Sequence, residues 1–196
     1  MLKPQDIVIL LKILATMTLP EAEQPELTQN KLAVYLCMSV SEVNAGIVRL
    51  TLSGLLGPVW EKSASSLGLR SLKNKKAVLL LPIITACIEC LIHGVKYFFP
   101  VKMGEFTRGI PTSYAAPILA KHIISGYDPI PVWPYAEGNQ KGIALEPLYP
   151  SVPESVIKYP DPLFYELLVL VDAIRSGRAR ERKIAIDILK EKLNDK

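Results

Sequence analysis

The one spacing in this chain that would build a metal or redox centre is Cys87-x-x-Cys90-x-x-His93. On a helix, steps of three put Cys87 and Cys90 on one face and swing His93 away from Cys87. A tetrahedral zinc site needs four ligands, and only Cys37 and His122 remain as further candidates. The flanking residues are apolar, so the thiols read as small buried hydrophobes, and neither metal nor cofactor is expected. Two histidines leave little room for metal hydrolysis or a histidine-based triad. The chain has no phosphate-cradling glycine loop, no HExxH and no nucleophile elbow. No catalytic residue is assigned, and the chain is not expected to be an enzyme.

Binding chemistry is better represented. Thr107-Arg108-Gly109-Ile110-Pro111-Thr112-Ser113 reads as a loop in which Thr107, Arg108 and Thr112 would hold an anion or an acidic partner. The same hydroxyls equally suit a turn that satisfies its own backbone. Arg175, Arg178, Arg180, Arg182 and Lys183 form a basic cluster, but Asp172, Glu181 and Asp187 lie at helical spacing from it. Internal ion pairs therefore compete there with nucleic-acid contact.

The stretch Leu27 to Leu56 reads as two helices and a turn. Thr28 suits the N-cap of the first, which carries Leu32, Ala33 and Leu36 on one face. Ser39-x-x-Glu42 is a capping box that starts the second. Val40, Val43, Ile47 and Leu50 recur inward at helical spacing, and Gly54 ends the helix. That is the spacing of a helix-turn-helix whose second helix offers its outer face to a DNA groove. The outward positions are Ser41, Glu42, Asn44, Ala45, Val48 and Arg49, with Thr28 and Lys31 at the front of the first helix. Glu42 would accept from cytosine and Asn44 would read adenine, although Glu42 is also claimed by its cap. This face is almost without charge. Any small helical bundle also contains such a pair of helices.

The elements around it follow from periodicity. Ile7, Leu10, Leu11, Leu14 and Met17 predict an amphipathic helix from about Gln5 to Met17. Leu56–Trp60 and Ala77–Leu81 are β-compatible. Between them Arg70, Lys73, Lys75 and Lys76 fall within seven residues, as in a wing laid along phosphates or in a plainly solvated loop. Pro82 is expected to begin a buried helix closed at His93-Gly94, with Val95–Pro100 as a strand. Residues 101–160 look irregular and rich in Pro and Gly, with short edge strands at Pro131–Pro134 and Gly142–Leu145. Asp161 onward predicts a helical hairpin that breaks at Ser176-Gly177.

Composition sets the bounds. The 196 residues are 49% hydrophobic with a mean hydropathy of +0.25, enough for a sizeable core. Net charge is +4, and its excess is local: residues 61–110 carry eight basic and three acidic groups, while residues 1–60 carry four and five. The apolar run Ala77–Val101 is broken by Pro82, Glu89, His93 and Lys96, so a buried strand and helix are expected rather than a membrane span. Three cysteines and no visible secretory signal suggest a reducing, cytoplasmic setting.

Pro4-Gln5-Asp6 with the ILLKIL helix, Ser39-Val40-Ser41-Glu42-Val43-Asn44 and Gly54-Leu55-Leu56 resemble bacterial winged helix-turn-helix regulators of MarR-like type. HGVKYFFP, TRGIPTSYAAP, GIALEPLYPSVPE and DAIRSGRARERKIA are similar to a subgroup that shares them in this order. The resemblance spans nearly the whole chain. It implies a cytoplasmic DNA-binding transcription regulator but brings no ligand or catalytic residues. The expected fold is α+β and mainly α: a winged helix-turn-helix over 1–81, a Pro/Gly-rich region with one helix over 82–160, and a C-terminal helical hairpin over 161–196. The expected partners are double-stranded DNA and a second copy of the chain. The alternative is a protein-interaction module, such as an antitoxin or complex component, that uses the winged helix and the Thr107–Ser113 loop.

Overall fold

The structure is a computed structural model that describes residues 1–20, 24, 27–59, 69–71, 78–123 and 129–194. It is α+β and mainly helical. The chain divides into two compact units, Met1–Cys87 and Ile88–Lys196.

The first unit is organised by α1 (Pro4–Thr18), α2 (Gln29–Tyr35) and α3 (Val40–Leu52). Pro4 stands in the first turn of α1, where its missing N–H costs nothing. Every residue of α1 from Asp6 to Thr16 is buried. Its one buried lysine, Lys12, lies 5.2 Å from the Tyr35 ring centroid of α2, a cation–π contact that lets a charge enter the core. Leu32, Ala33 and Leu36 meet Val43, Ile47 and Leu50 in that core, as their spacing predicts.

The C-terminal ends of α2 and α3 close in the same way. After α2, the Met38 N–H reaches the Ala33 carbonyl and the Cys37 N–H the Val34 carbonyl, with Cys37 at φ 51°. After α3, the Leu55 N–H reaches Leu50 and the Gly54 N–H reaches Thr51, with Gly54 at φ 72°. Each is a Schellman motif, but in the first a cysteine occupies the left-handed position that glycine takes at least cost. A three-stranded antiparallel sheet follows, in the order β1 (Leu56–Val59), β3 (Val78–Pro82), β2 (Leu69–Ser71). Pro82 therefore ends a strand, and the next helix, α4 (Ile84–Glu89), starts two residues later than expected.

Past α4 the helical backbone continues. Cys90–Gly94 forms a π turn and α5 (Val95–Phe98) completes it, so His93-Gly94 closes nothing and Val95–Phe98 is helix, not strand. The extra residue of a π turn offsets the apolar period, which is what hid the continuation.

In the second unit, β4 (Met103–Pro111), β5 (Pro131–Pro134) and β6 (Gln140–Leu145) close on one another as a three-stranded barrel. β4 runs antiparallel to both neighbours and β5 parallel to β6. Such tight closure needs bare backbone: a Cβ on Gly109 would collide with the Trp133 carbonyl. The short strands at 131–134 and 142–145 were expected. The long strand β4, which converts the supposed Thr107–Ser113 loop into strand and turn, was not. Ser113–Ala115 is a 3-10 turn, followed by α6 (Pro117–Ala120) and α7 (Val152–Lys158).

The C-terminal pair is as predicted: α8 (Pro162–Ser176) is capped by the Asp161 carboxylate, which accepts from the Phe164 N–H, and α9 (Ala179–Asn194) returns after Gly177. Arg182 donates to the Ile174 and Gly177 carbonyls at the end of α8. Ala185, Leu189 and Leu193 form the buried seam of α9, with Ile184 and Ile188 only half-buried. The pair belongs to the same compact unit as the region before it.

Candidate nucleic-acid interface

α2 and α3 meet at 111° across the turn, within the 90–120° range in which the second helix of such a pair can enter a groove. Local capping sets the corner. Thr28 accepts from the Lys31 N–H at the start of α2. At the start of α3, Ser39 Oγ accepts from the Glu42 N–H, and the Glu42 carboxylate accepts from both the Ser39 N–H and its hydroxyl. The capping box is closed on both sides, and Glu42 is engaged by it.

The outer face of α3 presents exposed Ser41 and Asn44, with Ala45 half-buried beside them. Val48 is 38% exposed. Val40, expected inward, is 44% exposed, because it sits in the first turn and burial on α3 begins only at Val43. Lys31 and Val34 are exposed on α2.

Arg49 departs from the expected arrangement. Its guanidinium is turned inward onto the fully buried Asp6 of α1, with Nε 2.7 Å and Nη2 2.6 Å from the two carboxylate oxygens. The side chain keeps 20% of its surface exposed. This fork is the strongest geometry a carboxylate and an arginine can adopt. The hydrogen bond to Asp6 raises the already high Arg49 pKa, against the opposing effect of burial. Asp6 also accepts from the Lys3 N–H, so one carboxylate ties the start of α1 to the last turn of α3. Gly46, one turn before Arg49, makes room for it: a Cβ there would lie 3.1 Å from Asp6 Oδ1 and against Ile9. Arg49 is thus a fold residue and not a groove residue. The sequence signal is Asp6, a carboxylate heading a largely apolar helix, but its partner is 43 positions away.

Arg70 lies on β2, paired in register with Leu79, while Lys73, Lys75 and Lys76 lie outside the described residues.

The proposed anion loop does not assemble. Thr107 and Arg108 are consecutive on β4, so their side chains point to opposite faces. Arg108 is exposed and reaches the Gly138 carbonyl at 3.3 Å. Thr112 is fully buried and donates to Asp172. It belongs to a polar cluster that was not foreseen. Asp172 Oδ2 also accepts from Trp133 Nε1 at 2.6 Å, and Oδ1 from Arg175 at 2.7 Å. Arg175 in turn donates to the Phe99 carbonyl, and Ser176 Oγ lies 3.3 Å from Ser113 Oγ. Burial pushes the Asp172 carboxyl up, opposed by Arg175 and by the Trp133 and Thr112 donors. Tyr165 stands edge-on to Trp133 and donates to the Pro111 carbonyl at 2.6 Å. Burial pushes its phenol up to about 12.

Cys87 is buried with its thiol 3.4 Å from the Leu55 carbonyl, and Cys90 is half-buried, where burial raises its pKa. Among the described residues no three His, Cys, Asp or Glu side chains are grouped to hold a metal, and no single helix is long and apolar enough to cross a membrane. Comparison of the chain with protein-family models, with curated proteins and with solved structures gives no match.

Proposed function

We propose that the first unit is a winged helix-turn-helix that binds double-stranded DNA, and that the protein is a cytoplasmic, homodimeric transcription regulator of MarR-like type. The observation that carries this is the α2–α3 corner: two capped helices at 111°, the second with one face in the core and the other exposed. The sheet that follows supports it, since residues 72–77 join β2 to β3 and include Lys73, Lys75 and Lys76. A basic connection at that point suits the phosphate backbone, which supplies affinity without sequence information. With Arg49 held by Asp6, electrostatic attraction falls to this connection and to Lys31.

The test is a mobility shift of the full chain against the DNA upstream of its own gene across a salt series. Expected is a steep loss of affinity with salt, and a shallower slope when Arg70, Lys73, Lys75 and Lys76 are reversed to glutamate. Unchanged binding by that variant would remove the wing from the mechanism.

A second reading has its own observation. Val34, Val40, Val48 and Leu52 are all exposed on α2 and α3, and an apolar helix face also suits a protein partner. Val40 and Val48 changed to lysine would then abolish capture of a copurifying protein, whereas on DNA the added cations would strengthen non-specific binding.

A further inference from the structure

The structure withdraws one kind of base reader from α3 and leaves another, and resting on the DNA-binding reading above, we propose that this helix selects A·T pairs in the major groove. Two side chains in the α3 sequence have the chemistry for a G·C pair. An arginine donates twice to guanine O6 and N7, and a carboxylate accepts from cytosine N4. Both are committed elsewhere. Arg49 makes its two-pronged contact with Asp6 in the core, and the Glu42 carboxylate closes the capping box on Ser39.

What remains outward is Asn44, exposed at the middle of the helix, with Ala45 and Val48 beside it and Ser41 one turn ahead. A side-chain amide donates to adenine N7 and accepts from its N6 amine, the one base edge that offers this pair side by side. Ala45 and Val48 offer only methyl groups, whose complement in the groove is the thymine C5 methyl. Asn44 and Val48 are four residues apart and so share one face. One strand's adenine and a neighbouring thymine methyl are therefore read by adjacent side chains. Ser41 accepts either base type and adds no preference.

The experiment is competition for the full-length protein, bound to a labelled mixed-sequence duplex at low salt, by alternating poly(dA-dT), poly(dG-dC) and poly(dA-dU). The uracil polymer keeps every hydrogen-bonding edge and lacks only the methyl group. Expected is about tenfold better competition by poly(dA-dT) than by poly(dG-dC), the worth of one good two-pronged base contact. The uracil polymer should fall several-fold below the thymine one, by the loss of buried methyl contact. Asn44→Ala should erase most of the first difference, and Val48→Ser most of the second. Neither change should alter the salt dependence, because neither side chain touches phosphate. Equal competition by poly(dG-dC), or an A·T preference that survives both substitutions, overturns base reading by α3 while leaving DNA binding in place. Binding to no duplex at low salt overturns the DNA-binding reading itself.

Discussion

Among the described residues, each unit of this protein buries one carboxylate in a largely apolar helix and pairs it with arginine, and the two do so in opposite ways. Asp172 is answered locally, by Arg175 three positions on in its own helix, and then by Trp133 from the barrel and Thr112 just past β4. Asp6 is answered from another helix, by Arg49. In the first case the arginine was never a surface residue, being 3% exposed. In the second, a residue on the solvent side of a helix is drawn round to the core. A buried charge therefore decides more than stability, since it determines which cations the surface retains.

The contrast is sharpest in what removal of each carboxylate does. Asp172→Ala leaves a buried guanidinium, an indole N–H and a hydroxyl without their acceptor and should cost about 3–5 kcal/mol, read from denaturant unfolding of the full chain. A loss below about 1 kcal/mol would mean that Arg175 escapes to water. Asp6→Ala should cost less, about 2 kcal/mol, because Arg49 is already partly exposed and can swing out. The freed guanidinium should also steepen the salt dependence of DNA binding by about one unit. Stability loss without that change would show that Arg49 stays inside.

Tyr165 gives the pH arm of the comparison. Its folded pKa of about 12 lies above the ordinary value near 10. The stability it contributes is therefore fully present below about pH 10 and lost as pH rises towards about 12. Tyr165→Phe should remove about 1 kcal/mol at neutral pH and flatten this alkaline limb. An unchanged limb would place the sensitivity elsewhere. The smallest effect belongs to the α2–α3 corner: Cys37→Gly should stabilise by about 0.5–1 kcal/mol, by relieving a left-handed backbone. Destabilisation would show that the cysteine side chain contributes packing that outweighs the strain.

The same contrast explains what the sequence made legible. α1, α2, α3, α8 and α9 follow from apolar periods and from caps such as Ser39 with Glu42, which are local. Ser41, Asn44 and Ala45 were placed on the outer face for the same reason. Arg49 was misplaced because its partner is remote, and periodicity cannot see a single ion pair. Val95–Phe98 was misread because the π turn interrupts the period. β4 was missed because its bulge, glycines and terminal proline disguise a strand whose pairing lies with residues 132–145. Helical spacing shows Asp172 only as an ion-pair candidate, since Trp133 and Thr112 lie 39 and 60 positions away and nothing local pairs them with it.

Closure of β4, β5 and β6 carries one further consequence. Each strand has a paired neighbour on either side, but β4 meets β5 only over Gly109–Pro111, so Met103–Thr107 are paired with a strand on the β6 side alone. An open edge is what invites a foreign strand to add on, whether in recognition or in misassembly. In the second unit that route is narrowed to the start of β4, where Met103 and Phe106 also stand out to solvent.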